Sequence, residues 1–115
     1  MKIGEVCLNT NNVTALSDFY KKLLRTDNGS DDLTHQTLIS EETQLTVYND
    51  GSFKNDNNRN ITLSFTVEDI EAEYHRLLEM GVKIIEKPTA RPWGAVNMSF
   101  YDPDGNIVYF RSFRG

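Results

Sequence analysis

Residues Trp93 to Phe113 read WGAVNMSFYDPDGNIVYFRSF. An apolar run from Val96 to Tyr101 is followed by the polar turn Asp102-Pro103-Asp104-Gly105-Asn106, and then by a second apolar run from Ile107 to Phe113. Two such runs joined by a Gly-containing turn form a β-hairpin. Pro103 presets φ for the first corner, and Gly105 takes the positive φ that closes the turn.

Upstream of the hairpin, Lys87–Gly94 carries two prolines and reads as a loop, and Val82–Glu86 (VKIIE) reads as a strand. Residues Glu68–Met80 predict an amphipathic helix with Ile70, Tyr74, Leu77 and Leu78 on its apolar stripe and Gly81 as C-cap. Glu68 and Asp69 suit the positive end of its dipole. Ile61–Val67 (ITLSFTV) is the strand that precedes it.

The first half has the same order. Residues 3–9 alternate, with Ile3, Glu5, Cys7 and Asn9 on one face and Val6 and Leu8 on the other. Asn11 or Asn12 caps a helix that runs to about Leu24 and buries Val13, Leu16, Phe19, Tyr20, Leu23 and Leu24. A polar break at 27–32 (DNGSDD) leads to two β-rich runs, Leu33–Ile39 and Gln44–Tyr48. The polar stretch 49–60 links the halves. The pattern predicts βαβββ twice, about 55 residues each. Glu5 registers with Thr62, and Tyr20, Leu23 and Leu24 register with Tyr74, Leu77 and Leu78.

A chain of 115 residues is one domain by length, residues 1–115, with half-motifs at about 1–50 and 60–115. A net charge of −5 disfavours nucleic acid and anionic membranes as partners. No apolar run approaches the roughly 20 residues of a membrane span. The start MKIGEVCLNT has no apolar segment of the secretory type, and Cys7 is the single cysteine, so a cytoplasmic location is expected.

Alternation also predicts where ligands go. Leu63, Phe65 and Val67 share the face that meets a helix, which leaves Thr62, Ser64 and Thr66 opposite, as Val6 and Leu8 leave Glu5, Cys7 and Asn9. These matching faces are polar or small, a lining rather than a core.

The order DIxxxxxxLxxxGVxIxxxPxxxPWGxxxxxFxDPDGNxVxF, together with Phe19-Tyr20-Lys21-Lys22-Leu23-Leu24 in the first half, resembles the vicinal oxygen chelate superfamily of glyoxalase I, extradiol dioxygenases and bleomycin-resistance proteins. The resemblance implies an α+β fold: paired βαβββ motifs in a curved mixed β-sheet, helices on the convex face and a ligand cleft on the other. It also implies a homodimer. The metal-ligand positions of metal-dependent members fall on Glu5, Thr62 and Tyr109, and of these only Glu5 is a good divalent-metal donor. The expectation is therefore no cofactor, with a divalent metal disfavoured.

Candidate ligand-binding residues are Cys7, His35, Tyr48, Thr62, Ser64, Trp93, Tyr109 and Arg111, with Glu5 as the candidate catalytic carboxylate, a general base if turnover occurs. His75 reads as a solvated helix residue. The favoured function is metal-independent binding of a small molecule, an aromatic antibiotic or metabolite. The alternatives are a metal-dependent glyoxalase-like lyase, isomerase or dioxygenase using Glu5, and a dimeric protein-interaction module.

Overall fold

The computed structural model describes residues 1–54 and 60–113, and the chain divides into two compact units, Met1–Asp56 and Asn57–Gly115. Each unit is an α+β layer pair, one helix on one mixed sheet. Residues 55–59 of the expected linker lie outside the described residues.

In the first unit, β1 (Val6–Asn9) runs parallel to β3 (Thr43–Tyr48), which pairs antiparallel with β2 (His35–Ser40), giving the order β1-β3-β2. Helix α1 (Val13–Leu24) starts where Asn12 Oδ1 accepts from Ala15 N at 3.1 Å. Its buried residues Val13, Leu16, Tyr20 and Leu23 meet Leu38, Leu45 and Val47 of the sheet, while Phe19 and Leu24 are only half-buried. Each fully buried side chain of this size contributes about 1.5–3 kcal/mol relative to exposure.

The second unit has β4 (Leu63–Thr66), α2 (Ile70–Glu79), β5 (Ile84–Ala90), β6 (Ala95–Tyr101) and β7 (Ile107–Phe113), in sheet order β4-β7-β6-β5. Asp69 Oδ1 accepts from Ala72 N at 3.0 Å, so the helix begins at Ile70 rather than Glu68. Ile70 and Leu77 are buried, but Leu78 is 48% exposed. Gly81, at φ 74°, stands one residue past the cap, where Gly81 N bonds Leu78 O and Val82 N bonds Leu77 O.

Two stretches differ from the sequence expectation. The loop expected at 87–94 is half strand: β5 runs on through Pro88 to Ala90, and only 91–94 turns. Pro88 fits there because β5 is an edge strand whose pairing to β6 shifts register between Glu86 and Thr89. Among the described residues the sheet of the first unit has three strands, so the βαβββ pattern is complete there only in the second. The place that β5 takes beside β6 is filled, beside β2, by the segment after α1. Its side chains bond the outward carbonyls of β2, Thr26 Oγ1 to Ile39 O at 2.9 Å and Asn28 Nδ2 to Thr37 O at 2.8 Å. Asp27, Asn28, Ser30 and Asp32 fold the segment locally by accepting from backbone N–H groups of Gly29, Ser30, Asp32 and Thr34. Such local bonds outcompete a ladder and cover an edge that would otherwise be open.

The strand register of the repeat is as expected. Thr10 N bonds Tyr48 O at 2.9 Å and Val67 N bonds Arg111 O at 2.8 Å, so β1 matches β4 with Glu5 opposite Thr62 in the alignment of halves. The helix register is not. The closing bonds Thr26 N to Lys21 O and Val82 N to Leu77 O equate Lys21 with Leu77, two residues off the expected pairing. The left-handed closing residue is Arg25 (φ 52°) in one half and Gly81 in the other, so no shared residue marked the two ends.

Candidate functional site

Each sheet has one face against its helix and one face free of it, and in each unit the side chains on the free face form a candidate site in their own right. In the first unit Cys7 is registered with Thr46, which is registered with Thr37, while Asn9, Tyr48 and His35 form the next row. Glu5, one residue before β1, reaches the same row as Cys7: Thr46 Oγ1 donates to Glu5 Oε2 at 2.5 Å. The ring centroids of His35 and Tyr48 lie 5.3 Å apart, edge to face. Glu5, Cys7, His35 and Tyr48 are thus brought together on one face, which the alternation of the first strand implies for Glu5 and Cys7. Thr46, at the middle of it, is buried at 3% exposure.

Cys7 reaches solvent, yet partial burial pushes its thiol above 9.0, and the carboxylates of Glu5 and Asp50 add to the rise. It is a thiol at neutral pH, not a nucleophilic thiolate. Asp50 is itself held below the ordinary carboxylate value, first by the Ser52 hydroxyl at 2.6 Å and then by Ser52 N at 2.9 Å. This turn is tied to β1 through Asn9, whose Nδ2 donates to Ser52 Oγ and whose Oδ1 accepts from Asp50 N.

In the second unit the register sets Ser64 beside Tyr109 and Tyr109 beside Ser99; one step along, Thr66 is beside Arg111 and Arg111 beside Asn97. Ser64, Tyr109 and Arg111 share this face. Arg111 Nε donates to Thr66 Oγ1 at 2.9 Å, and its guanidinium carbon lies 5.1 Å from the Phe113 ring centroid. Thr62 is exposed and precedes β4, just outside the strand. Trp93 lies in the 91–94 turn and is 68% exposed. His75 is exposed on α2 with its ring 5.6 Å from that of Tyr74.

Thr46, Asn97 and Ser99 complete the two faces and were not singled out from sequence. Asn97 and Ser99 alternate with Met98 and Phe100, a signal that was present in the hairpin. Thr46 was marked only by lying between Leu45 and Val47. The Asn97 Oδ1 atom is buried and has no hydrogen-bond partner among the described residues.

By residue type, Glu5, Thr62 and Tyr109 are a weak donor set for a divalent metal. Glu5 is engaged by a hydroxyl, Thr62 and Tyr109 are poor donors, and among the described residues no three His, Cys, Asp or Glu side chains converge. The faces offer instead hydroxyl and amide hydrogen bonds, ring surfaces and one guanidinium. No helix among the described residues is long and apolar enough to cross a membrane.

An α+β chain of this topology, with a polar sheet face in each half, defines a fold class. The profile of the Glyoxalase/Bleomycin resistance protein/Dioxygenase superfamily matches residues 2–110, and the chain belongs to that superfamily. It is 30% identical over 125 residues to the uncharacterized protein YraH of Bacillus subtilis, covering 94% of this chain and 95% of that one. Among solved structures it is similar to a glyoxalase/bleomycin resistance protein/dioxygenase from Nocardioides, at 18% identity and TM-score 0.80 over 98% of this chain and 83% of that one. The fosfomycin resistance protein FosX of Listeria monocytogenes is 12% identical, with TM-score 0.79 over 99% and 94%. At these identities the structural likenesses describe the fold.

Proposed function

We propose that the protein binds a small organic molecule on its polar sheet faces without a metal ion. The observation that carries this reading is the donor set: the positions that hold metal in metal-dependent relatives carry Glu5, Thr62 and Tyr109, and the carboxylate among them is held by Thr46. Hydroxyls, an amide and exposed rings suit recognition by hydrogen bonding and stacking. The ligand class is an aromatic antibiotic or metabolite, the working form a homodimer, and the compartment the cytoplasm.

The test is an NMR screen of isotope-labelled, chelator-treated protein against aromatic antibiotics and metabolites. The reading expects a ligand whose binding perturbs β3, β6 or β7 amides and is unchanged by added Zn²⁺ or Mn²⁺. Binding seen only after a metal is added would overturn it.

A further inference from the structure

Arg111 lies on β7, an inner strand of its sheet, on the polar face and exposed. Among the described residues two contacts hold its guanidinium, the Nε–H to Thr66 Oγ1 at 2.9 Å and the Phe113 ring at 5.1 Å. Neither uses the outer nitrogens. Arg76 and Arg91 are each paired with a carboxylate, Glu73 and Glu86. Arg111 has none among the described residues, although the chain carries seventeen acidic side chains against twelve basic ones.

A guanidinium oriented through Nε presents its two Nη groups as a fork, the geometry that takes a carboxylate or phosphonate in paired hydrogen bonds. Phe113, 55% exposed, lies beside that fork and offers a ring surface to the rest of the ligand. We infer that Arg111 is the specificity-determining residue of the sheet face, selecting small organic anions with a carboxylate or phosphonate next to an apolar body. This inference rests on the proposed ligand-binding role of the face.

The experiment titrates labelled, chelator-treated protein with benzoate, phenylphosphonate and neutral benzyl alcohol, following the Arg111 Nε–H signal and the amides of β6 and β7. Both anions are expected to shift these signals, with benzyl alcohol binding at least tenfold more weakly. Arg111→Gln should lose tenfold or more of the benzoate affinity, and Arg111→Lys should fall between, because it keeps the charge without the fork. The variants' dispersed spectra establish that they fold; should Arg111→Gln not fold, the anion-versus-alcohol ratio on the native protein decides. Equal binding of benzyl alcohol, or unchanged benzoate affinity in a folded Arg111→Gln, overturns the inference and leaves metal-free binding standing. No response of this face to any probe at millimolar concentration, beside a hit elsewhere in the wider screen, overturns the inference alone. No response to any compound in either experiment overturns both.

Discussion

Asp102→Ala is expected to cost about 3 kcal/mol, because that side chain builds the turn on which the register of the second sheet depends. Asp102 is 4% exposed. Its Oδ1 accepts from Asp104 N and Asn106 N, both at 2.9 Å, and its Oδ2 accepts from Asn106 Nδ2 at 2.8 Å. Hydrogen bonds to a charged group are worth roughly 1.5–3 kcal/mol each when nothing replaces them. Asn106 is exposed and recovers water, so about 1 kcal/mol per bond is the fitting figure, and the sum falls in the range of about 2–4 kcal/mol. Urea unfolding followed by circular dichroism measures it as a lower midpoint at unchanged slope. Asp102→Asn keeps an acceptor for the two backbone N–H groups and should cost only about 1 kcal/mol. A loss below about 0.5 kcal/mol for Asp102→Ala, or equal losses for the two variants, would refute the reasoning. The same turn sets Ser99 against Tyr109 and Asn97 against Arg111 on the face proposed to bind the ligand.

Other expectations follow from the same geometry. Glu41, first of the two residues joining β2 to β3, has φ 54°, a position that favours Gly, so Glu41→Gly should stabilise by about 0.5–1 kcal/mol in the same unfolding assay, and a destabilised variant would contradict it. The raised Cys7 thiol means its alkylation by iodoacetamide should rise with pH to a midpoint above 9.0 despite its exposure; since the folded value lies above the unfolded one, its contribution is complete below 9.0 and is lost as pH rises through the folded value, and a midpoint below 9.0 in the alkylation rate would contradict this. Asp32 is lowered, chiefly by the backbone N–H of Thr34 and then that of His35, and Asp50 by Ser52. For both, the folded value lies below the ordinary 3.8, so their contribution is present above that pH and is lost as pH falls beneath it. Carbon-detected NMR titration of the two carboxylates, with midpoints below 3.8, checks it; ordinary midpoints would count against the bonds described.

Much of the fold was legible because its signals are local. The final hairpin declared itself through Asp102-Pro103-Asp104-Gly105-Asn106, and the parity of Leu63, Phe65 and Val67 assigned Ser64 to the opposite face correctly. What escaped had a physical reason in each case. Pro88 looked like a strand breaker, and only its place on an edge strand with an irregular register allows it. That no fourth strand forms in the first unit among the described residues goes with Thr26 and Asn28 reaching carbonyls of β2, contacts between residues thirteen and nine apart that periodicity does not encode. Of the site, sequence placed Glu5 and Cys7 on one face but could not tell that Thr46, two strands away in the chain order, bonds the Glu5 carboxylate. Trp93, conspicuous in the sequence, lies in an exposed turn closed by the Arg91 N to Ala95 O bond.

The most direct test of metal-free binding is a thermal-shift series on chelator-treated protein with Zn²⁺, Ni²⁺, Mn²⁺ and Fe²⁺, run beside Glu5→Ala, since an ion that binds only the folded chain must raise its melting temperature. The account predicts no saturable rise with any of the four, and the same melting response in native protein and variant. A saturable rise that disappears in Glu5→Ala would contradict it and make Glu5 a metal ligand.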